Sequence, residues 1–122
     1  MPLPTLPAAP DHVRPTTSLL KALADDNRLR IVALLARGEL CVCHIAEALS
    51  LSQPNVSQHL NVLKNAGVVD YERRGNWMYH RLAAEPDPGR ARILEAVLEG
   101  VADLAPADTE RLVAAKASVP CE

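Results

Sequence analysis

Phenylalanine is absent from this 122-residue sequence, and tryptophan and tyrosine together contribute three residues. A core built from it must be aliphatic, made of Leu, Val, Ile and Ala, which suits packed helices better than aromatic-rich sheets. No apolar run is long enough to span a bilayer or to serve as an export leader. Cysteine is also scarce. Three residues, Cys41, Cys43 and Cys121, do not make a disulfide framework, so a reduced cytoplasmic setting is expected, with thiolates available as ligands or redox groups.

A strong excess of either charge is missing too, because the net charge is −2. That excludes a polycation but not a local basic surface. Residues 53–82 hold four basic groups (Lys64, Arg73, Arg74, Arg81) against two acidic ones, Asp70 and Glu72. Residues 83–122 hold four basic against eight acidic groups. The middle segment is the only positive one, where a phosphate-facing surface is expected. What is present in bulk, 48% hydrophobic and 23% charged residues, is ordinary for one soluble domain.

Five of the ten prolines fall in residues 1–15, which predicts a flexible, extended arm there. The domain proper is expected over 16–105, with a short helix and tail over 106–122. Leu19, Leu20 and Leu23 predict a first helix over Thr17–Ala24. Asp25 and Asp26 can cap a second helix that reaches Ala36 and stops at Gly38. A third helix is expected to begin at Cys41, with Val42, Ile45, Ala46 and Leu49 as its buried stripe and the cysteines flanking it.

Ser50-Leu51-Ser52 reads as a turn, after which Ser52 caps a fourth helix carrying Pro54 in its first turn. Val56, Leu60 and Leu63 face inward. The opposite face, centred on Pro54, Gln58, Asn61 and Asn65 with Ser57 and Lys64 beside it, is rich in amides and hydroxyls. Such groups read base edges or hold phosphate oxygens. Val68–Leu82 reads as a β-hairpin turning at Gly75-Asn76, with Arg73 and Arg74 at its tip for backbone phosphates or the minor groove. A last long helix over Gly89–Leu104 bears a broad apolar stripe suited to a second copy, and Asp108 is expected to cap a short terminal helix to Lys116. The fold class is therefore mainly α with a small β-hairpin wing, a winged helix-turn-helix.

Residues 17–104 resemble the ArsR/SmtB family of winged-helix metalloregulatory repressors. The resemblance rests on ADDNRLRIVALL, ELCVC, LSQPNVSQHLNVLKNAGVV and RRGNWMYHRL, in that order. It implies a homodimer joined through the first and last long helices, bound to an inverted-repeat double-stranded operator and released when metal binds. The SQPNVSQHL match carries DNA contacts to Gln53, Asn55, Ser57, Gln58 and His59, to which the polar face adds Asn61. His59 also borders the buried stripe, so a hydrogen bond inside the domain is an equal expectation.

Cys-Val-Cys at this place resembles the arsenic- and antimony-responsive members, which add a third cysteine one turn later. Here that position is Ala46, and Gly89–Leu104 lacks the histidines of the zinc-sensing members. Thiolates select soft ions, and a helix N-terminus favours the thiolate form, with His44 and Arg37 close in sequence. The expected inducer is As(III), Sb(III) or an organoarsenical. Cys121 is the candidate third ligand; failing it, a hydroxide, a small thiol or an organic substituent completes the shell. Residues i and i+2 of a helix point about 200° apart, so one ion bridging both sulfurs is expected to unwind the first turn. Rival readings are a thiol redox sensor closing a disulfide across one residue, and a cadmium or lead sensor. An enzyme is not expected, since no acid–base set, phosphate loop or pocket signature is visible.

Overall fold

The computed structural model describes the backbone of residues 9–102 and 106–118, and side chains from Val13 onward. Six helices and three short strands follow in the order α1 (Ala9–Leu23), α2 (Asp26–Leu35), β1 (Leu40–Cys41), α3 (Val42–Leu49), α4 (Gln53–Asn65), β2 (Val69–Arg74), β3 (Trp77–Leu82), α5 (Pro88–Val101) and α6 (Pro106–Ser118).

Helix α1 starts well before the expected Thr17. The extended arm foreseen for residues 1–15 is replaced by helix from Ala9, and residues 1–8 lie outside the described residues. Pro10 falls in the first turn, where no backbone donor is needed, and Pro15 is carried inside the helix. Two exposed apolar side chains, Val13 and Leu20, lie on α1.

The Asp25 carboxylate accepts from the backbone N–H groups of Asn27 (2.9 Å) and Arg28 (3.0 Å), which starts α2. These bonds hold its pKa below the usual carboxylate value, the Arg28 amide first. Ile31, Val32 and Leu34 of α2 meet Ile45 of α3 and Val56, Leu60 and Leu63 of α4 in a dry aliphatic core closed by Leu19 and Val68. Each such leucine contributes roughly 2–5 kcal/mol against truncation to alanine.

Helices α3 and α4 are separated by Ser50, Leu51 and Ser52. Ser50 adopts a left-handed conformation (φ 56°, ψ 43°), and the Leu51 N–H returns to the Ala46 carbonyl at 3.0 Å. Ser52 Oγ then accepts from the Asn55 N–H at 3.2 Å, opening α4 as its sequence predicts.

The wing is a three-stranded antiparallel sheet in the order β1-β3-β2, where a two-stranded hairpin was expected. Arg74 pairs with Trp77 across the Gly75-Asn76 turn, while Leu40 pairs with His80 and Cys41 with Tyr79. Helix α6 packs along α3. Asp108 was expected to cap that terminal helix; instead it lies inside its first turn, 5% exposed, and takes a two-pronged grip from Arg30 at 2.9 and 3.0 Å. Among the described residues no helix is long and apolar enough to cross a membrane.

Candidate inducer site and nucleic-acid interface

Cys41 is not the first residue of a helix. It ends β1 with extended backbone (φ −85°, ψ 156°) and acts as the N-cap of α3, and Cys43 follows in the first turn. The extended residue swings the Cys41 side chain round to the Cys43 side. The two sulfurs are joined as a disulfide, with the Cα atoms 5.5 Å apart. Holding both sulfurs together therefore requires no unwinding of α3, contrary to the sequence expectation, because the 200° argument applies only when both residues are helical.

The cysteines are also more deeply placed than flanking positions would be, 1% and 8% exposed, since the pairing with Tyr79 draws Cys41 into the sheet. His44 is buried beside them, and one ligand atom from each of Cys41, Cys43 and His44 lies within 4.8 Å of the others. Two sulfurs and an imidazole suit soft or borderline ions. Ala46 occupies the next turn, and Cys121 lies outside the described residues.

Of the six α4 residues expected to face DNA, four are exposed and two are partly buried. Gln53, Ser57, Gln58 and Asn61 are exposed along α4, while Asn55 is half-buried at its start. His59 is turned inward and receives Arg28 Nη1 at Nδ1, 3.3 Å away. A guanidinium can only donate, so Nδ1 is the acceptor. Arg28 also donates to the carbonyls of Ala22 (2.6 Å) and Lys21 (3.4 Å), tying the end of α1 to α4 through one side chain.

The two wing arginines differ. Arg74 is held by Glu39 at 2.9 Å and Glu72 at 3.1 Å and lies over the Tyr79 ring at 4.7 Å. Both carboxylates push its pKa up, Glu39 first, and Arg74 in turn holds Glu72 low. Arg73 is exposed and, among the described residues, has no ion pair.

Two further groups escaped the sequence reading. His80 is 8% exposed with its Nδ1 lacking any hydrogen bond, its ring centroid 5.7 Å from that of Tyr71. Burial, and then Lys64, push its pKa down. Lys64 donates to the Tyr71 hydroxyl at 3.1 Å and covers the same ring, which joins the end of α4 to the wing. Arg90, nearly buried, reaches Glu85 (2.8 Å), the Ala66 carbonyl (2.6 Å) and the Pro15 carbonyl, so α1, α4 and α5 meet at one guanidinium. The alternation of Met78, His80 and Leu82 was the available signal for the first; nothing local signals the second.

The family model described as "bacterial regulatory protein, arsR family" matches residues 25–71, which span the whole helix-turn-helix. The arsenical resistance operon repressor of Escherichia coli is 42% identical over 78 residues, covering 63% of this chain and 67% of the repressor. This chain belongs to the ArsR family. The arsenic resistance transcriptional regulator ArsR1 of Pseudomonas putida is 46% identical over 86 residues; the match covers 70% of this chain and 64% of that regulator, just under two thirds of its length. Among solved structures, the homodimeric winged helix-turn-helix DNA-binding domain of a possible ArsR-family regulator from Mycobacterium bovis superposes with a TM-score of 0.64. It is 36% identical and covers 76% of this chain and 82% of that one.

Proposed function

We propose that this ArsR-family chain is a dimeric transcriptional repressor that holds operator DNA with α4 and the wing and releases it when trivalent arsenic or antimony is bound by Cys41 and Cys43. The observation that carries the reading is the buried cysteine pair at the start of α3, with Cys41 in the same small sheet as the wing hairpin and the pair one turn motif away from α4. Helix α5, with Ile93, Val97 and Leu98 only half-buried, and the exposed Val13 and Leu20 of α1 are the surfaces for the second copy. For arsenite or antimonite, Cys121 is the thiol that would complete a three-sulfur shell; an organic substituent on arsenic would take its place. The arsenic-resistance names of the Pseudomonas and E. coli relatives support arsenic among the soft ions.

The test is release of operator DNA by the purified full chain under reducing conditions. Arsenite and antimonite are expected to release it at concentrations well below those of zinc, and Cys41→Ser or Cys43→Ser to abolish the response. Retention of the response in both serine variants would overturn the reading.

Two observations favour rival inducers. The disulfide between Cys41 and Cys43 suits a redox sensor, which would let go with peroxide and not with arsenite. The His44 ring beside both sulfurs suits cadmium or lead, and His44→Ala would then remove the response to those ions alone.

A further inference from the structure

The cysteine pair lines a half-open cavity of about 250 Å³. Its walls include Gln53 and Ser57 from the exposed face of α4, and Trp77 and Met78 from the start of β3. The space therefore lies between the two elements read as the DNA-contacting ones, and Cys41 and Cys43 line it. An indole and a thioether give it one apolar wall, facing the polar Gln53, Ser57 and Asn76, and that wall can pack an aromatic group, since sulfur and ring faces pack well against aromatic groups. An apolar cavity of roughly 150 Å³ is enough to hold benzene, so this one has room for a ring and the atom bearing it.

The donor set points the same way. Ala46 stands where a third sulfur would close the shell from the next turn, and among the described residues no third cysteine lies at the site. A trivalent arsenic held by two sulfurs keeps one valence for another group, and the cavity is where that group would go.

Resting on the arsenic reading above, we propose that the preferred inducer is a monosubstituted trivalent arsenical, R–As(OH)₂, whose organic group R occupies the cavity between α4 and the wing. In the binding step two As–O bonds break and two As–S bonds form to the reduced Cys41 and Cys43. Each thiol proton leaves with a hydroxide as water, and the oxidation state of arsenic is unchanged. Where the pair is oxidised, a thiol reductant first supplies two electrons and two protons and becomes a disulfide itself. The substituent then stands against Gln53, Ser57 and Trp77, so release scales with its bulk as well as with the thiolate bonds.

Trp77 is the single tryptophan of the chain and reports on the cavity directly. The experiment titrates the reduced full chain with arsenite, methylarsonous acid and phenylarsonous acid, reading operator release and, without DNA, tryptophan emission. The phenyl compound is expected to release DNA at about tenfold or more lower concentration than arsenite, with the methyl compound between them, as burial of the added apolar surface dictates. It is also expected to shift or quench Trp77 emission, and arsenite to leave it nearly unchanged. Met78→Trp, which fills the cavity, should abolish the phenyl advantage in the release assay while arsenite still works, so arsenite serves as the control for folding. Equal potency of arsenite and the phenyl compound, or a Met78→Trp variant that weakens all three alike, would overturn the substituent pocket and leave arsenic sensing intact. Failure of all three to release DNA from the wild-type protein would overturn both.

Discussion

Arg28 Nη1 donates to His59 Nδ1 at 3.3 Å, so a residue that the family pattern places on the reading face is fastened from behind. His59→Ala should therefore lower thermal stability by about 1 kcal/mol, the usual cost of losing one such bond. It should also weaken binding to every operator variant by the same factor. A base contact would instead relax preference at one operator position, which a panel of single-base operator substitutions would reveal.

Arg73 and Arg74 should separate cleanly in a salt titration. Arg74 is already neutralised by Glu39 and Glu72, whereas Arg73 has no ion pair among the described residues. Arg73→Ala should reduce the salt slope of DNA binding by about one phosphate contact per subunit. Arg74→Ala should leave the slope nearly unchanged. Equal effects would show that Glu39 and Glu72 let go of Arg74 on DNA.

The Arg30–Asp108 pair gives an asymmetric prediction for stability. Asp108 is 7% exposed at its side chain and Arg30 31%, so removing the arginine leaves the buried carboxylate only the longer contact from Arg111 at 3.6 Å, while removing the aspartate leaves a cation that can turn to water. Arg30→Met should cost roughly 3 kcal/mol or more and Asp108→Leu far less. Denaturant unfolding at fixed protein concentration measures both, and a reversed order would show that Asp108 is not confined.

His80 predicts loss of stability on acidification. Its folded pKa is below the ordinary histidine value of 6.5, so below that pH the unfolded chain takes up the proton more readily. The contribution of the neutral ring is complete above pH 6.5 and is lost as pH falls through the lowered folded value. His80→Leu should flatten the melting temperature between about pH 7.5 and 5.5 relative to the wild type. An unchanged pH dependence would assign the effect to other groups.

The sequence made legible those elements whose signals are local. Ser52 and Pro54 mark the start of α4, Gly75-Asn76 marks the wing turn, and the 3.6-residue stripe of Val56, Leu60 and Leu63 marks the inner face. Strand β1 was illegible because two residues, Leu40 and Cys41, are too short to show a period. Missing it placed Cys41 on a helix and made the sulfurs diverge. Prolines hid the first half of α1, since their local effect is to discourage helix that packing elsewhere sustains. Asp108 and Arg90 act over separations of 78 and 75 residues, to Arg30 and to Pro15, which no local pattern encodes.

The register of the small sheet carries one more consequence. Cys41 is the cross-strand partner of Tyr79, two residues along β3 from Trp77 at the turn, so one of the two sulfurs sits in the same sheet as the wing hairpin. A sensor coupled to its output in this way is coupled in both directions, because linked equilibria shift each other by equal factors. Under the arsenic-sensing proposal, operator DNA is then itself an effector of the thiols. Bound to its site, the repressor should hold arsenic more weakly than in free solution, by the same factor by which arsenic weakens the operator complex. Promoter occupancy would thereby set the concentration at which the alarm is raised.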